Sequence, residues 1–124
     1  MAKAPRIFLD TNTIIYFLKG VDGFEALARF KFFYYSFISR IELFSFGGEQ
    51  EDKLISDFLR NGKQININKK IIDRTIEIRK NYQLKLPDAV IVASAQHVGA
   101  DLYTSDQEIL HKIDFLTTIN LLQE

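Results

Sequence analysis

The sequence predicts a three-layer α/β domain built on a central, mostly parallel sheet of about four or five strands. Three observations carry this reading. Short apolar runs alternate with longer stretches of helical periodicity along the whole chain. Several runs, Ile7-Phe8-Leu9 and Phe32-Phe33-Tyr34-Tyr35 among them, are apolar on successive residues, as strands covered on both faces are. With 124 residues, 47% of them hydrophobic, the chain has material for one core, and so for a single domain over residues 1–124.

Taken in order, Arg6–Leu9 is the first strand, and a helix, Thr11–Leu18, opens directly after Asp10 and closes at Gly20. Phe24–Arg29 supplies a further helical turn or two. Phe32–Ser36 is the second strand, and Ser39–Phe46 is helical up to the stop at Gly47-Gly48. Gln50–Arg60 is amphipathic, with Leu54, Ile55, Phe58 and Leu59 on one side. Asn61-Gly62 is a turn, and Gln64–Asn66 a short third strand. Lys69–Tyr82 is a long helix carrying Ile71, Ile72, Ile76 and Ile78 among many charges. Pro87 stands where a helix can begin. That helix, Asp88–His97, is apolar nearly all round and is expected to be buried, with Gly99 ending it. Asp101–Thr104 is the fourth strand, Gln107–Lys112 a short helix, and Phe115–Ile119 a final strand. There is no internal repeat, low-complexity tract or linker.

Composition narrows the function. Sixteen basic residues balance sixteen acidic ones, so no global positive field advertises nucleic acid, and binding of that kind must come from a local patch. The absence of Cys excludes disulfide scaffolds and thiolate metal sites, but not a carboxylate site. The first residues lack the apolar core of a signal peptide, and no apolar run approaches the roughly 18 residues of a membrane span. A cytoplasmic protein without membrane contact is the expectation.

Four acids stand out by position. Asp10 lies between a strand and a helix, where it can cap the helix by accepting a backbone N–H. Glu42 fits a capping box with Ser39. Asp88 follows Pro87 in a first helical turn, where the macrodipole favours an acid. Asp106 can cap the helix after the fourth strand, where Ser105 and Glu108 offer another capping box. Singly, each is as much structural as functional. Together they fall at junctions that a parallel sheet brings to one edge, the edge where such sheets bind ligands. Neutral caps serve helices equally well. Carboxylates at ~4 Å repel by about 4 kcal/mol per pair at an effective dielectric near 20. Such a site needs raised pKa values or a bound cation, and oxygen ligands without His or Cys suit Mg²⁺ or Mn²⁺.

On these residues the chain resembles the PIN-domain family, in particular the small VapC-like toxins of bacterial toxin–antitoxin pairs. Leu9-Asp10-Thr11-Asn12 is similar to the family's opening motif, Ser36-Phe37-Ile38-Ser39-Arg40-Ile41-Glu42-Leu43 to the second, Leu86-Pro87-Asp88-Ala89-Val90-Ile91-Val92-Ala93-Ser94-Ala95 to the third and Tyr103-Thr104-Ser105-Asp106 to the fourth. The likeness covers essentially the whole chain. It departs from the pattern at Gln107-Glu108-Ile109, where small toxins often carry a further acid and an aromatic.

The resemblance implies a Mg²⁺- or Mn²⁺-dependent endoribonuclease leaving a 5′-phosphate and a 3′-hydroxyl, a cognate antitoxin as partner, and a homodimer. It places Asp10 and Asp88 as the most direct metal ligands, Glu42 and Asp106 as ligands directly or through water, and Asn12 and Thr104 as supporters that orient carboxylates or waters. His97 and His111 lie in no motif and read as structural. The cluster Phe30, Phe32, Phe33, Tyr34, Tyr35, Phe37, Phe44 and Phe46 is mainly core, with exposed members available to stack RNA bases or to meet a partner helix. Arg40, Lys80 and Lys85 flank the motifs and read as a solvated face before they read as phosphate contacts. Two other readings compete. One is a non-catalytic PIN-like scaffold that binds RNA or protein. The other is phosphoryl transfer through an aspartyl-phosphate on Asp10, which ranks low because Asn12 stands where such phosphatases carry a second Asp.

Overall fold

A computed structural model describes residues 5–45 and 47–122. The expectations for Phe46, and for the first four and last two residues, lie outside them. The described chain forms a five-stranded sheet in which every pairing is parallel, in the order β3-β2-β1-β4-β5. The strands are β1 (Ile7–Leu9), β2 (Phe33–Ser36), β3 (Gly62–Ile65), β4 (Asp101–Tyr103) and β5 (Thr118–Ile119). The helices are α1 (Thr11–Leu18), α2 (Phe37–Phe44), α3 (Glu49–Leu59), α4 (Lys69–Tyr82), α5 (Leu86–Val98) and α6 (Gln107–Lys112), with a 3-10 helix at Phe24–Arg29. Among the described residues no helix is long and apolar enough to cross a membrane.

The two-residue period of β1 divides the core. Phe8 faces one layer with Leu102, Ile65 and the buried residues of α4, α5 and α6. Ile7 and Leu9 face the other, with Phe33, Tyr35, Tyr103 and the apolar sides of α1 and α3. Residues Ala89 to Ala95 of α5 are all buried, which accounts for a helix without a polar stripe. Gly99, in the left-handed region at φ 68°, closes α5 and turns the chain into β4.

Besides shifts of one or two residues elsewhere, three boundaries differ from the sequence reading for identifiable reasons. Helix α2 begins at Phe37, because the buried Ser36 caps it by accepting from the Ile38 N–H at 3.0 Å; Ser39 is no cap and Glu42 closes no capping box. Strand β3 starts at Gly62, which the sequence suggests is only a turn. A Cβ there would stand 2.4 Å from Cε2 of Phe33, its partner across the ladder, so glycine is required by a ring lying over the backbone. Strand β5 shrinks to two residues, because Phe115 and Leu116 pack against the α4–α5 layer instead of extending the ladder.

Candidate metal centre at the carboxyl edge of the sheet

Strand order reverses around β1: β2 and β3 lie on one side, β4 and β5 on the other. The crevice beyond the carboxyl ends of β1 and β4 is therefore the switch point at which parallel sheets admit ligands. Asp10 follows β1 directly and Asp106 lies three residues after β4. Asp88 comes by another route, since α5 follows α4 rather than a strand; it reaches this edge because α5 leads back into the start of β4.

Asp10 is only 5% exposed and caps α1. Its Oδ1 accepts from the Thr13 N–H at 2.8 Å, and its Oδ2 accepts from the Thr104 hydroxyl. Each oxygen keeps a second lone pair for another partner. The Thr13 hydroxyl donates to the Tyr103 carbonyl at 2.9 Å, which ties the start of α1 to the end of β4. Thr104 in turn accepts from the Asp106 N–H at 3.1 Å, and Asp106 caps α6 by accepting from the Ile109 N–H at 3.0 Å. Thr104 is thus the buried link between two of the acids.

Glu42 is held differently. The earlier start of α2 carries it about one turn, ~4.5 Å, farther from the strand end than a cap at Ser39 would. Thr11 spans this gap by donating to Oε1 of Glu42 at 2.6 Å. One hydroxyl has one proton, so the 2.9 Å contact between Thr11 and Ser39 has Ser39 donating. The positions that sequence reasoning missed are therefore Thr11, Thr13 and Ser39. The only advance signal was the hydroxyl-rich string around Asn12. Asn12 itself is exposed and takes part in none of the described side-chain hydrogen bonds. His97 and His111 are both exposed, and His97 lies 3.4 Å from Asn68.

The electrostatics join the four acids. Burial pushes the Asp10 carboxyl above its usual range; the Thr104 and Thr13 hydrogen bonds oppose the rise, and the charge of Asp106 adds to it. Asp88 is pushed up to about 6, by desolvation first and then by Asp106, Asp10 and Glu42, with Lys85 the opposing charge. Asp88 sits in the first turn of α5, where the helix dipole favours its ionised form. Desolvation, together with the repulsion of three carboxylates, outweighs that help. Among the described residues, however, no three acids or histidines stand close enough together to hold a metal ion as a ready-made group. The donor set suits a hard divalent cation in charge and atom type, and its spacing is open.

Glu42 also borders an apolar groove of 340 Å³ between α1, α2 and α3, lined by Ile15, Leu18, Leu43, Leu54 and Ile55. Leu54 is 51% exposed there.

Comparison with known proteins agrees with this fold. A sequence model of the family described as "PIN domain" matches residues 7–116. No curated protein matches the chain. A toxin–antitoxin complex from Klebsiella pneumoniae superposes with a TM-score of 0.82 at 24% identity, covering 95% of this chain and 99% of that one. VapBC2 from Rickettsia felis, bound to a DNA fragment from its promoter, gives 0.75 at 24% identity over 92% and 98% of the two chains. DNA-bound VapBC from Salmonella typhimurium gives 0.81 at 18% identity over 96% and 100%. At such identities these likenesses speak for the fold.

Proposed function

The chain belongs to the PIN-domain family, and from that premise we propose that it is a divalent-metal-dependent endoribonuclease, the toxin of a toxin–antitoxin pair. The observation that carries the nuclease reading is the charge at the switch point. Four carboxylates from four separate segments face one sheet edge, and Asp88 is pushed up to about 6 by desolvation first and then by the charges of Asp106, Asp10 and Glu42. Structural acids have no reason to be gathered where each raises the cost of the next.

In this reading Asp10 and Asp88 hold the cation, and Glu42 and Asp106 hold it directly or through water. A bound Mg²⁺ or Mn²⁺ supplies a Lewis acid that lowers the pKa of water and offsets charge on phosphoryl oxygens. The chain's own residues prepare for it. Thr104 fixes Oδ2 of Asp10 and the backbone of Asp106, and Thr11 aims Glu42. Burial of Asp10 excludes water from the inner side of the site.

A cognate antitoxin is proposed because one solved relative is a toxin–antitoxin complex and because the apolar groove beside Glu42 offers a seat for an amphipathic helix. The homodimer rests on family resemblance. The open spacing of the acids is the observation that favours the runner-up, a scaffold that binds without cutting. Aspartyl-phosphate transfer has less support, since Asn12 stands two residues after Asp10 where such phosphatases carry a second Asp.

Asp10→Asn decides between cutting and scaffolding. Metal-dependent cleavage of single-stranded RNA is expected to fall at least ~10³-fold, with the far-UV circular dichroism spectrum unchanged. Cleavage that persists in the variant, or in excess EDTA, overturns the metal mechanism. Expression of the wild type alone is expected to slow bacterial growth and the variant not to; equal growth removes the toxin role and leaves the nuclease.

A further inference from the structure

At the opposite edge of the sheet, where the strands begin, a cleft of 380 Å³ brings together Arg6, Arg29 and Lys31 with Phe30, Phe32 and Tyr34. We propose that this cleft binds one nucleotide of a single-stranded RNA at a distance from the bond being cut, with its phosphate on the cations and its base against the rings. The identity of the strand rests on the ribonuclease reading; the existence of the site does not.

Charge is the first argument. None of the described ion pairs involves Arg6, Arg29 or Lys31, whereas the paired cations lie on α3, α4 and α6. The chain is neutral overall and its four coupled acids occupy the far edge, so these three cations offer a phosphodiester a landing place away from that repulsion. The second argument is preorganisation. Nη1 of Arg6 donates to the Val98 carbonyl at 2.7 Å, which fixes the guanidinium at the end of α5. The Arg29 guanidinium lies over the Phe30 ring, 4.9 Å from its centroid. The third is the rings. Phe32 is 52% exposed and stands edge-on to Tyr34 at 5.2 Å, an arrangement that leaves an aromatic face for a base. An acidic peptide needs the cations but gives no role to the solvent-facing Phe32 ring beside them. The volume falls in the range of small-ligand sites.

Arg6 and Asp10 stand at the two ends of β1, about 13 Å apart at ~3.3 Å per residue. They lie on opposite edges of the sheet and the strand must pass around the domain between them, so the cleft contributes only when the RNA is long enough to bridge the two edges.

The test is fluorescence anisotropy of a labelled single-stranded RNA of roughly 20 nucleotides, in EDTA so that nothing is cut. The proteins are the wild type, the combined variant Arg6→Glu, Arg29→Glu, Lys31→Glu, the milder Arg29→Gln, Lys31→Gln pair, and Phe32→Ala. The charge-reversal variant is expected to bind at least ~10-fold more weakly and to lose roughly 0.7 units of slope in log K against log salt, the share of one phosphate on a single strand. Phe32→Ala is expected to weaken binding about 10-fold while leaving the salt slope unchanged. Duplex RNA of the same length is expected to ignore Phe32. Unchanged binding of the long RNA by all variants overturns the proposal, as does a wild type that does not bind it. Polyglutamate displacing the RNA as effectively as unlabelled RNA overturns it in favour of an acidic protein partner. Should the charge-reversal variant fail to melt like the wild type, the milder pair and Phe32→Ala carry the decision. Patch-dependent binding without cleavage by the wild type sinks the nuclease reading alone; cleavage with patch-independent binding sinks this one alone.

Discussion

Charges on α3 and α4 and charges at the carboxyl edge obey opposite rules. On α3 and α4 three acids meet a cation three or four residues away: Asp57 meets Lys53 and Arg60, Asp73 meets Lys69, and Glu77 meets Arg74. Nearly all are exposed, and such pairs cost little and contribute little. At the carboxyl edge the charges come from distant parts of the chain, Asp10 is buried, and Lys85 is the opposing charge felt by Asp88. A local pairing rule produces solubility. In the proposed reading, a non-local gathering of one sign makes a place that would lower its energy by taking up a cation, at the expense of the metal-free fold.

The contrast is broken most directly at Asp88. Asp88→Asn is expected to reduce cleavage by 10²-fold or more and at the same time to stabilise the metal-free protein, by on the order of 2 kcal/mol at neutral pH. The two effects separate by assay and by urea melting in EDTA. The sign follows from linkage. The folded-state carboxyl titrates near 6 while an unfolded Asp titrates near 3.8, so the folded state holds more protons between those values. Wild-type stability in EDTA should therefore rise as the pH falls from above 6 towards 4. Asp10 shifts in the same direction and reinforces the trend. Asp88→Asn should flatten the curve, and so should saturating Mn²⁺. A wild-type curve that is flat or falls over this window contradicts the repulsive reading.

Thr104→Val probes the link between the acids at smaller amplitude. It removes the hydroxyl that donates to Asp10 and accepts from Asp106. The expected cost is about 1–2 kcal/mol of stability and a 10- to 100-fold loss of metal affinity, read by melting and by Mn²⁺ titration. Thr104→Ser should restore most of both. The smallest effect belongs to the other region: Lys53→Met, which breaks an exposed pair at 3.2 Å, should change stability by less than about 0.5 kcal/mol and leave cleavage untouched.

Much of this contrast can be read in the letters, and the part that cannot has identifiable causes. Asp10 between an apolar triplet and a helical stretch is visible, as is α5, whose run of Ala, Val and Ile admits no solvent face. The start of α2 is not visible, because Ser36 and Ser39 are both competent caps and only the length of β2 chooses between them. Gly62 looks like punctuation until the Phe33 ring is placed over it. The hydroxyls that hold the acids are hidden for the same reason. Thr11 and Thr13 each find a partner far along the chain, Glu42 and the Tyr103 carbonyl, and no spacing rule announces either. Asn12, between them, is the residue that a motif suggests and solvent receives.

The margins of the sheet have a consequence for assembly. On one side the last strand is two residues long; on the other, β3 presents Lys63 among only four residues. A stub and a short, charged rim give an incoming strand little to template on, so fibrous or swapped growth through backbone pairing is suppressed. Any docking of a second copy is then left to helical surfaces, where the exposed Ile72 and Ile76 of α4, one turn apart, form one apolar patch.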